Sequence, residues 1–279
     1  MTSIGDDVSD TAFITGYYRS LNEALSQDPW SKLWMTEKAK ELGDAFVNEV
    51  SPHDPVNIQL RSRFFLEALR RYSKKHEQFG FINLGAGFTT YPYHDFMINQ
   101  AISFEYDQES VVSLKKTTAD KYQQRGLLPQ NNHIHYVGLN FDIDSYQKKI
   151  DDSLKLLSGS QRPVFVLMEG FFYYLQKETS ESLWSLLVSR LPKASRVGVV
   201  YLKPEVEKSS AFKRAQKFLI DHCGFNGMQL LYHEKEYFLK GRLTEIDSAS
   251  HVEAESRYLG ENNFNNDNTF NEEMLIVEI

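Results

Sequence analysis

Phe81-Ile82-Asn83-Leu84-Gly85-Ala86-Gly87-Phe88-Thr89-Thr90 is the stretch that decides the fold. Its apolar start reads as a buried strand, and the two glycines that follow let the backbone turn tightly and approach a ligand closely. Downstream, Ile102-Ser103-Phe104-Glu105-Tyr106-Asp107 repeats the strand pattern. Further strands are predicted over 133–141, 163–169 and 196–202, with helices over 109–122, 145–157, 179–191 and 211–222. Strands alternating with helices predict an α/β protein whose mostly parallel sheet is covered on both faces. Two late strands, 229–232 and 274–279, are expected to form an antiparallel edge, and the Asn-rich 261–269 a loop between them.

Upstream, the first 75 residues read as helical. Segments 12–25 and 31–50 are separated by Asp28-Pro29, because the residue before a proline is pushed out of the α region. Ser51-Pro52-His53-Asp54-Pro55 is a second break. Leu60, Phe64, Ala68, Leu69 and Tyr72 then recur at three- and four-residue steps, the signature of an amphipathic helix. The expected organisation is a helical cap over 1–75 and a ligand-binding unit over 76–279.

Composition narrows the function. With 279 residues, 41% hydrophobic and 25% charged, the chain can bury a core without a disulfide or metal staple. Its single cysteine, Cys223, excludes an intramolecular disulfide framework and reads as structural. A net charge of −7 without a long basic run makes a poor nucleic-acid binder. The acidic, polar residues 1–10 lack the features of a signal peptide, and no apolar run approaches the ~18 residues of a membrane span, so a cytoplasmic protein is expected. The His133-x-His135 pair within a strand is not expected to ligate a metal. There is no GxSxG elbow, HExxH helix or Walker loop.

In a sheet of this type ligands sit at the C-terminal ends of the strands. Gly85 and Gly87 end the first strand, but the third glycine of a dinucleotide fingerprint is missing. Asp107, 20 residues past Gly87, stands at the tip of the second strand, where a carboxylate can accept hydrogen bonds from ribose hydroxyls. Glu105 is the alternative acid. Leu139-Asn140-Phe141-Asp142 ends the third strand. Asn140 can read an adenine edge and Phe141 can stack on the ring, or the segment is an Asx turn. Glu169 follows a run of apolar residues, costly to bury without a partner, and precedes Gly170-Phe171-Phe172-Tyr173-Tyr174-Leu175.

These motifs, in this order, resemble the leucine carboxyl methyltransferase-like group of S-adenosylmethionine-dependent methyltransferases. The likeness includes Asp10-Thr11-Ala12, Asp28-Pro29-Trp30, Leu60-Arg61-Ser62-Arg63-Phe64-Phe65, the glycine turn, Phe104-Glu105-Tyr106-Asp107 and Glu169-Gly170-Phe171-Phe172-Tyr173-Tyr174-Leu175. The resemblance implies a Rossmann-like, seven-stranded class I methyltransferase sheet with a helical N-terminal lid, and S-adenosylmethionine as cofactor. It implies that Arg61 holds the methionine carboxylate, Gly85 and Gly87 approach the methionine part, Asp107 binds the ribose, Asn140 and Phe141 face the adenine, and Glu169 faces the amino group. Thr89 and Asn140 stand where the family usually has Asp, and a lid lysine of the eukaryotic members falls near Tyr17.

Two reactions are compatible with such a site. The first transfers the methyl group to a small-molecule oxygen nucleophile of secondary metabolism. A carboxylate is the favoured acceptor, because it needs no general base. The second is azetidine-2-carboxylate synthesis, known in the same fold family, in which the methionine amine attacks its own γ-carbon and methylthioadenosine leaves. Tyr174, Asn140 and Tyr17 are the candidate catalytic residues for either.

Overall fold

The computed structural model describes residues 4–143, 145–158, 162–223, 230–241, 243–265 and 267–279, with side chains described from Asp10 onward. Seven strands form one sheet: β1 (Phe79–Leu84), β2 (Ala101–Asp107), β3 (Ile134–Gly138), β4 (Val164–Met168), β5 (Arg196–Tyr201), β6 (Thr244–Ser250) and β7 (Glu273–Glu278), in the order β3-β2-β1-β4-β5-β7-β6. The first five are parallel and β7 runs antiparallel between β5 and β6. The helices are α1 (Ile4–Leu21), α2 (Glu23–Ser26), α3 (Glu37–Glu49), α4 (Asp54–Ser73), α5 (Asp95–Gln100), α6 (Glu109–Gln124), α7 (Tyr146–Ser158), α8 (Lys177–Arg190), α9 (Ser210–Cys223), α10 (Lys235–Phe238) and α11 (His251–Leu259).

Every residue of β1, β4 and β5 is buried, as expected of a parallel sheet covered on both faces. One face packs Leu60, Phe64, Phe65 and Leu69 of α4 against Phe79, Phe81 and Phe165. The other packs Ile150, Leu183 and Leu187 against Ile82, Val164 and Val166. The 1–75 segment is therefore not a separate layer, since α4 belongs to the main core. Above it, Ile14 and Tyr18 of α1 and Phe46 of α3 pack with Ile58 of α4 and Phe218 of α9.

Several boundaries differ from expectation. The break expected at 51–55 is present over 51–53, but Asp54 and Pro55 already begin α4, with Pro55 in its first turn, where a missing N–H costs nothing. The predicted 31–50 helix is a 3-10 turn followed by α3, which begins where Thr36 Oγ1 accepts from Ala39 N–H at 3.1 Å. The predicted 229–232 strand is a single bridge between Tyr232 and Leu202, and Gln229 lies outside the described residues. The partner of β7 is instead β6, whose sequence Thr-Glu-Ile-Asp-Ser-Ala-Ser lacks the apolar alternation of a strand. It lies at the sheet edge, half exposed and bulged between Glu245 and Asp247, where polar residues cost little. The third strand ends at Gly138, three residues earlier than predicted, and His135 stacks on Phe104 at 4.6 Å.

Candidate functional site

The C-terminal ends of β1, β2, β3 and β4 and the N-terminal end of the antiparallel β7 meet on one edge of the sheet. A cavity of about 180 Å³ opens there. Its lining falls into two groups on either side of β4. On the β1–β2–β3 side stand Gly85, Ala86, Gly87, Asp107, Asn140 and Phe141. On the β7 side stand Asp54, Ile58, Phe46, Leu219, Phe270 and Glu272, and Tyr174 also lines the cavity. Arg61 and Glu169 lie where the two groups join.

The glycine turn is built by backbone geometry. Gly85 has φ +71 and Gly87 φ +45, and a Cβ at position 85 would sit 2.7 Å from the Phe171 side chain. The N–H groups of Gly85 and Ala86 both donate to Tyr106 O at 2.9 Å, pinning the turn to the end of β2. Asp107 Oδ2 accepts from Gly87 N–H and its Oδ1 from Gln108 N–H, each at 2.7 Å. Burial pushes the Asp107 pKa up and the Gly87 N–H opposes it. Thr89 Oγ1 donates to Ala86 O and accepts from the Asn83 amide, both at 2.9 Å, so an uncharged residue closes the turn. Asn140 Oδ1 accepts from Asp142 N–H at 3.1 Å, so the Asx turn is formed, while Asn140 still lines the cavity. Phe141 packs edge-on against Phe171 at 4.8 Å.

At the junction lies a buried charge network. Glu169 Oε1 accepts from Arg19 Nη2 at 2.6 Å and from Arg61 Nε at 3.0 Å, and its Oε2 accepts from Tyr91 OH at 2.7 Å. Arg61 Nη1 donates to Glu272 Oε2 at 2.6 Å, and Tyr173 OH donates to Glu272 Oε1. Burial alone would raise the Glu169 pKa. The two guanidiniums outweigh it, and the carboxyl is held below its ordinary value. His251 Nε2 lies 3.4 Å from Glu272 Oε2, and burial pushes the imidazole pKa down.

Thus Arg61, Gly85, Gly87, Asp107, Asn140, Phe141, Glu169 and Tyr174 are brought together, and Glu105 and Tyr17 are not. Glu105 points to the same side of β2 as Asp107 but two residues deeper, where its Oε1 pairs with Lys115 Nζ at 2.8 Å and both side chains are fully buried. Tyr17 OH donates to Asp44 Oδ1 at 2.9 Å between α1 and α3. The cation that α1 brings to the cavity is Arg19. Two residues from Tyr17, it lies about 200° around the helix. Sequence reasoning missed Arg19, Asp54, Tyr91 and Glu272. Arg19 had a signal, a cation directly after the apolar Tyr17-Tyr18. Asp54 was hidden in a chain break and Glu272 in a polar loop.

The family model described as leucine carboxyl methyltransferase matches residues 16–188, more than half of the chain. A search of curated protein sequences finds no relative. Among solved structures, a DUF574 family protein from Streptomyces avermitilis superposes with a TM-score of 0.66 at 16% identity, covering 96% of each chain. A candidate methyltransferase from Thermobifida fusca superposes with a TM-score of 0.59 at 13% identity, covering 88% of this chain and 89% of that one. At these identities the superpositions speak for the fold, and the match of the family model for the lineage. The chain belongs to the leucine carboxyl methyltransferase family, whose members use S-adenosylmethionine.

Proposed function

We propose that the strand-end cavity binds S-adenosylmethionine and directs its methyl group onto an oxygen nucleophile of a small molecule, in secondary metabolism. The observation that carries this reading is the charge and division of the lining. Two guanidiniums, of Arg19 and Arg61, share the lining with five carboxylates, those of Asp54, Asp107, Asp142, Glu169 and Glu272. That acidic surplus suits a ligand bearing a sulfonium and an ammonium against one carboxylate. The turn at Gly85 leaves backbone where a Cβ would collide, as a closely approaching ligand requires.

In this reading Asp107 accepts hydrogen bonds from the ribose, and Asn140 and Phe141 hold the adenine. Gly85 and Gly87 flank the methionine part, Arg61 orients its carboxylate and Glu169 faces its amino group. When bound, the cofactor supplies an electrophilic carbon on a good leaving group, so the protein's task is alignment and exclusion of water. Helices α1 to α3 act as the cap, with Arg19 tying α1 down onto Glu169. The apolar side chains of Ile14, Phe46, Ile58, Leu219 and Phe270 shape the acceptor's half, and the Tyr174 hydroxyl aligns the nucleophile.

The paired arginines change the favoured acceptor. Arg19 and Arg61 are the cations described in the lining, and both are paired with Glu169 and Glu272. Arg61 is also assigned to the cofactor's own carboxylate, so an acceptor carboxylate would find no further cation there to pair with. A hydroxyl fits this lining better.

A second reading, intramolecular cyclisation to azetidine-2-carboxylate, is favoured by one feature. Glu169 is satisfied by two guanidiniums and the Tyr91 phenol, so it gives an adjacent amine little reason to stay protonated. Product analysis separates the two. Incubation with S-adenosylmethionine and a panel of alcohols and carboxylic acids should give S-adenosylhomocysteine only when a hydroxyl acceptor is present. Methylthioadenosine formed without any acceptor would establish cyclisation instead.

A further inference from the structure

Of the five carboxylates that line the cavity, three have charged or backbone partners and one, Asp142, is exposed to solvent. Glu169 and Glu272 pair with arginines, Asp107 accepts two backbone N–H groups, and Asp142 Oδ1 accepts from Gln176 N–H at 3.3 Å. Asp54 differs. Its residue is 6% exposed, and among the described residues its carboxylate has neither a cation within ion-pair distance nor a backbone N–H donor. It stands in the first turn of α4, on the face that also presents Ile58 and Arg61 to the cavity at helical spacing.

We infer that Asp54 is the proton acceptor of the reaction, which assigns the nucleophile to the class that carries a proton, a hydroxyl or an ammonium, rather than a carboxylate. This rests on the proposed S-adenosylmethionine site. As the nucleophile's lone pair forms its bond to the carbon on sulfur, the C–S bond breaks with its electron pair to sulfur. One nucleophile proton passes to an Asp54 carboxylate oxygen, and it is later lost to water. With a hydroxyl the proton leaves during methyl transfer. With the cofactor's own ammonium it leaves before the amine attacks. One carboxylate serves either source.

The surroundings keep Asp54 basic enough for this. The titratable groups that act on it are Glu272 ahead of β7 and Arg61 on α4, it acts in turn on Tyr18 of α1, and Tyr173 and Tyr174 after β4 line the same cavity. Burial, and then the Glu272 charge, push its pKa up to about 7, against Arg61 and the Asn57 side chain. The carboxylate without a cationic partner thus sits buried beside a second acid, Glu272.

The test reads protons as well as turnover. Binding a cation beside Asp54 lowers its pKa, so wild-type protein should release a fraction of a proton on binding S-adenosylmethionine near pH 7. Calorimetry in buffers of different ionisation enthalpy measures it. Asp54→Asn should bind with affinity within about threefold of wild type, release no proton, and lose about 10²- to 10⁴-fold in kcat. Wild-type kcat/KM should rise with pH through an apparent pKa near that of Asp54 in the free protein, and kcat through a lower one, and the variant should show neither limb. Asp54→Glu should retain a base with a displaced midpoint, which keeps the test open if the asparagine variant does not fold. Equal proton release by wild type and asparagine variant, or a kcat within threefold, overturns the proposal. So does a glutamate profile superimposable on wild type. Failure of the wild-type protein to bind S-adenosylmethionine would instead overturn the underlying site. Homocysteine-type or methylthio-type product identifies which nucleophile gave up the proton.

Discussion

Arg19 and Glu169 stand 150 residues apart in the chain and 2.6 Å apart in the fold, and both side chains are buried. The pair joins the first helix to the end of the central strand, so the cap is tied directly to the floor of the cavity.

Breaking that pair should be costly, because Glu169 and its remaining neighbours stay buried. Arg19→Met is expected to lose about 3 kcal/mol, near the lower end for a buried pair because Arg61 still faces Glu169. In urea unfolding, the double variant Arg19→Met/Glu169→Gln should lose clearly less than the sum of the single variants. Strict additivity would mean that the contact does not hold the cap.

Asp54 gives stability a pH dependence of known sign. Its pKa is raised in the fold, to about 7 from 3.8, so the folded state binds the proton more tightly than the unfolded chain. The stability from that proton is fully present below the unfolded value and is lost as pH rises through the folded value. Asp54→Asn should therefore be more stable than wild type at pH 8, by on the order of a few kcal/mol, and close to it at pH 4. Thermal unfolding at both pH values decides this, and a constant difference in Tm would contradict it.

Gly85→Ala should damage the site as well as the fold. The residue is at φ +71, and its new Cβ would collide with Phe171. A fold cost of about 1–3 kcal/mol is expected, with at least a tenfold weaker affinity for S-adenosylmethionine. Gly126→Ala is the control: φ is +68 and nothing lies within 4 Å, so only the backbone term of about 1–2 kcal/mol applies and affinity stays unchanged.

Tyr174→Phe should reduce kcat about tenfold with little change in cofactor affinity, if removal of one hydroxyl misaligns the nucleophile. Steady-state kinetics and calorimetry on the same preparation separate the two quantities. Unchanged kcat would leave Tyr174 as packing in the aromatic pair with Tyr173.

Much of this site was legible because strand ends are legible. The apolar run into Gly85, the acid at the tip of β2 and the acid after β4 each mark a change of pattern in the chain, and all three line the cavity. What stayed hidden depends on long-range closure. Glu272 sits between two polar residues, Asn271 and Glu273, and reaches the cavity only because β7 inserts antiparallel beside β5. Residues 17 and 19 fall on different helix faces, and only packing against α4 shows which one looks inward. Edge strand β6 escaped because it has no apolar face to reveal it.

The most direct test of the account is calorimetric titration of S-adenosylmethionine into wild-type protein and Asp107→Ala. The account predicts one site per chain in wild type, and an affinity about 10- to 200-fold weaker in the variant through loss of a charge-assisted hydrogen bond to the ribose. Equal affinities, or no binding by the wild-type protein, would contradict it.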